Sequence, residues 1–153
     1  MKVDLELEEL KKLMIEYLVW KELLHILDRR MRKLQTWFAK KIIKENMEKL
    51  EKLGAKVSEK QLINIITYPG KTLGNYTTSY FFGKLEIAFE SGFFIEVSNK
   101  ENIKEIVELI NSMIEEYRRK KNEDLVYQNV IKIYKCIEEK FEEICFKIDH
   151  DLL

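Results

Sequence analysis

The densest run of chemistry-bearing side chains lies between Arg29 and Lys44. Arg29, Arg30, Arg32, Lys33, Lys40, Lys41 and Lys44 are seven cations with no acid among them, and Trp37 and Phe38 stand between them. Cations interleaved with aromatic rings can neutralise phosphates and stack on bases. The same run suits an anionic partner or a membrane surface. The plainer alternative is a basic helix face satisfied by an acidic one elsewhere. Glu138, Glu139, Glu142 and Glu143 offer such a face near the C-terminus. The chain carries 27 basic and 27 acidic residues, which excludes a globally basic nucleic-acid binder and favours the ionic pairing.

Other candidates for chemistry are weaker. Glu86 and Glu96 come out opposite one another on the outer face of a hairpin derived below. Like charges there are destabilising, which can signal a metal or an acid–base pair. Lys84, two residues away, can offset the repulsion diagonally. Pro69-Gly70-Lys71-Thr72 ends like a phosphate-binding loop, but Ile65 stands where that motif needs its first Gly, and no helix follows Thr72. His25 and His150 have no Cys, Asp or Ser at a triad or zinc spacing. Ser79 and Ser91 lack a nucleophile-elbow context. Cys136 and Cys145 are nine residues apart, about half a turn out of phase on a helix, so they read as two buried thiols rather than a disulfide or a shared metal site. No catalytic, cofactor-binding or metal-binding residue is assigned, no cofactor is expected, and the chain reads as a non-enzyme.

The elements that must position these residues are legible from composition and period. Five Gly and one Pro in 153 residues, with abundant Lys, Glu, Ile and Leu, point to long helices in one domain. Residues 4–53 form a long helix or helix pair. Leu10, Tyr17, Leu24, Met31 and Phe38 recur every seven residues, and Leu13, Trp20, Leu27 and Leu34 follow three positions later. Met14, Leu23 and Trp37 widen the stripe beyond a two-stranded coiled coil, toward a bundle. Gly54 terminates the helix.

Residues 55–98 hold the turn formers and the β-branched runs. Leu62 to Tyr68 fits a strand, while Ser58 with Gln61 resembles a capping box and allows a short helix. Tyr68-Pro69-Gly70-Lys71 reads as a turn, and Tyr76 to Phe82 as a strand. A hairpin over 84–98 has a derivable register. A two-residue loop at Ser91-Gly92 would set Ile87 against Glu96 and mix the faces. A three-residue loop, Glu90-Ser91-Gly92, pairs Phe89 with Phe93, Ile87 with Ile95 and Leu85 with Val97. One face is then wholly apolar, and Gly92 takes the left-handed loop position. Phe94 projects from the outer face beside Ala88. Aromatics on both faces suggest a sheet covered by its own helices and by another subunit, with Phe81, Phe94, Ile95 and Val97 as the assembly surface.

Residues 99–149 form a helical arm. Ser98 and Glu101 have capping-box spacing. Apolar residues from Ile103 to Tyr117, and again from Tyr127 to Ile148, keep a helical period. Arg118 to Asp124 contains no apolar residue, and Asn122 could cap a new helix. Either a break falls near 122 or one helix runs through; the break is favoured. The fold class is therefore α+β, with long amphipathic helices flanking a small central antiparallel sheet. The acidic start MKVDLELEEL is no secretory signal, and no apolar run reaches the ~18 residues of a spanning helix. A cytoplasmic protein with no membrane partner is expected. The Lys, Glu and Ile bias also fits a thermophile's charged surface.

The stretch Lys84 to Tyr117 resembles the second hairpin and following helix of the α-type subunit of prefoldin. The similarity lies in the strand, the Ser91-Gly92 turn, an aromatic, and Ile95-Glu96-Val97-Ser98 leading into an amphipathic helix. Chain length and the helix–hairpin–helix layout fit as well. The resemblance implies an antiparallel coiled-coil tentacle, hairpins that assemble a platform, and a nucleotide-independent holdase chaperone. Leu5, Leu7, Leu10, Ile144 and Ile148 would then be the gripping ends. The expected function is thus an oligomeric protein-interaction protein that binds itself or another protein, of holdase type. The alternative is a nucleic-acid-binding regulator using residues 29–44. A metal-dependent enzyme using Glu86 and Glu96 is a third and weaker reading.

Overall fold

A chain so poor in Gly and Pro has few places where a helix must stop, and its first helix runs for 51 residues. The computed structural model of the protein describes residues 2–68 and 73–151, with side chains from residue 6 to residue 150 of that span. The elements are α1 (Lys2–Lys52), β1 (Ala55–Lys56), α2 (Glu59–Thr67), β2 (Tyr76–Phe81), β3 (Lys84–Phe89), β4 (Phe94–Val97), α3 (Ile103–Glu123) and α4 (Leu125–Phe146), then a π-helical turn at Lys147–Asp151. The class is α+β, with helices before and after a four-stranded antiparallel sheet of order β1-β4-β3-β2. No described helix is long and apolar enough to cross a membrane. The turn expected at Tyr68–Lys71 and the Pro69–Thr72 motif extend outside the described residues.

Local chemistry sets the element ends. Gly54 stops α1 at a φ of +93°, and its N–H donates to the Glu51 carbonyl at 3.0 Å. Of the two readings of residues 62–68, the helix forms. Ser58 Oγ accepts from the Gln61 N–H at 3.1 Å, while Gln61 Oε1 accepts from the Ser58 N–H at 2.8 Å. The second expected box does not form. Ser98 instead gives its N–H (2.9 Å) and its hydroxyl (3.2 Å) to the Gly54 carbonyl, so α3 begins only at Ile103. The break between α3 and α4 is present, but Asp124 caps the new helix rather than Asn122. Its carboxylate accepts from the Tyr127 N–H at 2.7 Å, and that start puts Tyr127 and Val130 on the buried side.

The contacts group into two compact units. One joins α1 up to Leu34 with the chain from Asp124 onward; the other is Gln35–Glu123. In the first unit, Leu10, Leu13, Tyr17, Trp20, Leu24, Leu27, Met31 and Leu34 are half-buried along α1, as the seven-residue period requires, with Leu23 and Asp28 half-buried beside them. The Tyr17 and Phe141 rings lie 5.1 Å apart, and Asp28 lies near enough to Tyr134 to act on its charge. Moving up α1 therefore moves down α4, so the two helices run antiparallel.

The second unit carries the deep core. Ala55, Leu85, Ile87, Phe89, Ile95 and Val97 give the sheet one buried face. Ile42 and Leu50 of α1, Leu62 and Ile66 of α2, and Ile106, Ile110 and Met113 of α3 supply the rest, each at helical spacing. The hairpin register is the expected one: Leu85 opposes Val97, Ile87 opposes Ile95, and Phe89 donates to the Phe93 carbonyl at 2.9 Å. Gly92 sits in the loop at a φ of +96°.

Candidate functional site

β2 is where the sheet stops being covered. Tyr76, Thr78 and Tyr80 oppose Phe89, Ile87 and Leu85 and share their face, yet all six residues of β2 are exposed. Among the described residues, the far side of β2 has no neighbouring strand. Its backbone polarity follows from the turn. Phe82 and Gly83 connect β2 to β3 with φ of +50° and +76°, the two left-handed residues of a tight two-residue hairpin. In such a hairpin the pair closing the loop, Phe81 and Lys84, is hydrogen-bonded, and bonded pairs then alternate along the ladder. Asn75 keeps the phase by accepting from the Glu90 N–H at 2.9 Å. The peptide groups of Tyr76, Thr78 and Tyr80 therefore point to the open edge.

Aromatic rings surround that edge. Phe81 (59% exposed) and Phe82 (90% exposed) stack edge-on at the hairpin tip with centroids 4.5 Å apart. Phe94, also 59% exposed, stands on the outer face opposite Ala88. Tyr80 lies on the other face with the Lys100 ammonium 5.4 Å from its ring. Two residues expected on the assembly surface are not there: Ile95 is 0% and Val97 3% exposed, because the three-residue loop turns both into the core. Phe81 and Phe94 are on the surface. The sequence pattern put Phe82 at the end of the strand, whereas the strand ends at Phe81 and Phe82 enters the turn with φ of +50°; the open edge was not foreseen. The signal was available: Phe82-Gly83 separates two strand-like runs by two residues.

The acidic pair stands as derived, with Glu86 directly opposite Glu96. Lys84 Nζ lies 4.0 Å from Glu96 Oε1 and offsets the like charges. Among the described residues no three His, Cys, Asp or Glu side chains are placed to hold a metal ion. Neither cysteine is buried: Cys136 is exposed and Cys145 half-buried on the opposite side of α4, and both are free thiols. The half-turn spacing correctly separates them, but the C-terminal helix is too thinly covered to bury either.

The basic run divides between the two units. In the first, Arg29 pairs with Glu22 at 3.8 Å and Arg32 with Asp28 at 3.1 Å, both within α1. In the second, Lys40, Lys41 and Lys44 are exposed and make no ion pair among the described residues. Trp37 is 52% exposed with the Lys41 ammonium 4.7 Å from its ring, whereas Phe38 is buried. Within the first unit, among the described residues, Glu143 pairs with Lys140 at 3.6 Å rather than with Arg29 or Arg32. Of the implied gripping ends, Leu7 is exposed, Leu10 and Ile148 are half-buried, and Ile144 is buried. Leu5 lies outside the described side chains. No protein-family model matches the chain, and neither a curated protein nor a solved structure is similar enough to count as a match.

Proposed function

We propose that the chain is a non-enzymatic, oligomeric protein-interaction protein, cytoplasmic, that takes up an extended segment of a protein partner along β2. The observation that carries this reading is the six-residue edge strand, exposed at every position, leading into the Phe81–Phe82 pair. An open edge offers unpaired peptide groups to an added strand, and neighbouring rings supply apolar contact to its side chains. A holdase that grips unfolded chains, the function implied by the prefoldin resemblance, is the specific form proposed, since unfolded segments are extended and apolar. The free thiols fit a reducing compartment.

The test is Thr78→Pro. Proline removes an N–H that points outward, leaving the ladder to β3 intact. The variant should lose suppression of aggregation of a denatured client while keeping its melting temperature within a few degrees. Equal activity in the variant would remove β2 as the binding edge. A second reading rests on Trp37, whose exposed ring lies beside Lys41 with Lys40 and Lys44 nearby in sequence. That pattern fits a single-stranded nucleic acid. Labelled oligonucleotide binding that falls steeply with salt and is lost in Trp37→Ala would support it.

A further inference from the structure

The first half of α1 has a second apolar face, opposite the one turned toward α4. At about 100° per residue, Leu7, Lys11, Ile15, Leu18, Glu22 and Ile26 fall along one stripe, with Met14 and Val19 at its margins. Leu7, Ile15, Leu18 and Ile26 are all exposed, Ile15 by 62% and Leu18 by 61%. Leu10, Tyr17, Leu24 and the other half-buried residues lie about half a turn away. A row of large apolar side chains on the solvent face of a charged helix marks a contact surface.

The order of the stripe identifies its occupant. Its successive spacings are four, four, three, four and four residues, which reads the same in both directions. Its chemistry is palindromic as well. An antiparallel copy centred between Glu16 and Tyr17 sets Leu7 at the level of Ile26, Lys11 at Glu22, and Ile15 at Leu18, each contact occurring twice. Met14 meets Val19, and Glu8 meets His25, at the margins. Every apolar residue meets an apolar one, and both charges in the seam meet the opposite charge. A two-fold axis requires this self-complementarity: if residue i meets j, then j meets i. A parallel pairing would instead set Lys11 on Lys11 and Glu22 on Glu22.

Lys11 and Glu22 have partners within their own helix, Glu8 at 3.5 Å and Arg29 at 3.8 Å. All four side chains are about two-thirds exposed or more, so neither pair holds its charge against a closer partner. We infer that this face is covered by the same face of a second copy, as an antiparallel α1–α1 homodimer spanning about 28 Å of helix. The inference goes beyond the proposed strand-binding edge and stands on a different surface.

The experiment uses the full chain carrying Thr78→Pro, so that any association through β2 is silenced. Sedimentation equilibrium should give twice the 18.5 kDa of one chain. Leu18→Glu, a change at an exposed position, should halve that mass with unchanged helix content. Lys11→Glu alone should weaken the dimer on the order of tenfold, and adding Glu22→Lys should restore it. A monomer before any change to α1, or a dimer indifferent to Leu18→Glu, would overturn the inference. Disulfide trapping with otherwise wild-type β2, after Cys136→Ser and Cys145→Ser, gives an independent reading. Mixed Ile15→Cys and Leu18→Cys chains should cross-link to each other. Leu7→Cys chains should not cross-link among themselves, and if they do the antiparallel register is wrong.

Discussion

Phe82 occupies a backbone conformation that costs an L-residue about 1–2 kcal/mol, and its ring recovers little of that because it is 90% exposed. Asn tolerates the same position in a two-residue hairpin turn. Phe82→Asn should therefore raise stability by about 0.5–1 kcal/mol in a denaturant titration, after the loss of an exposed ring contact with Phe81 is set against the relief. The same variant should bind an extended client more weakly. A stability gain paired with a binding loss would identify strain retained for contact. Gly54 is the opposite case. A Cβ there would meet Ser98 Cβ at 3.2 Å with φ already at +93°, so Gly54→Ala should cost about 1–2 kcal/mol.

At the scale of elements, legibility tracked how many constraints each segment obeyed at once. The β3–β4 register was readable because pleat, loop length and Gly92 all favour one pairing. The α1 seam was readable because a seven-residue period persisted from Leu10 to Phe38. The caps were less so: Ser98 had the spacing of a cap, but the Gly54 carbonyl, 44 residues earlier, competed for its hydroxyl. Alternation alone could not place Ile95 and Val97 correctly, since it does not say which face a helix will cover. The exposed stripe of α1 was hidden by the stronger seam opposite it. The α1–α4 pair also carries a pH signature. Tyr134 has its hydroxyl pKa raised by desolvation first, then by the charges of Glu138 and Asp28 and a hydrogen bond with Glu138. A raised folded-state pKa contributes stability that is fully present below the ordinary value of 10.0 and lost as pH climbs through the folded value. Melting temperatures between pH 9 and pH 11 should fall less in Tyr134→Phe than in the parent chain.

Across the whole molecule, burial is uneven. The largest fully buried side chains, from Ile42 to Met113, all belong to the unit Gln35–Glu123. Leu62→Ala there should cost about 2–5 kcal/mol, read from the shift of the denaturant midpoint. In the other unit the apolar seam of α1 is only half-buried. That asymmetry has a dynamic consequence. Amide hydrogens in β3 and α3 should exchange with solvent only through global opening, while those of α4 and early α1 exchange through local opening. If a second chain covers residues 7–26, protection in that stretch becomes a function of protein concentration, while protection of β3 does so only as far as association also stabilises the whole fold. The isotope pattern of one dilution series would thus separate the half of the molecule that holds itself from the half that waits for company.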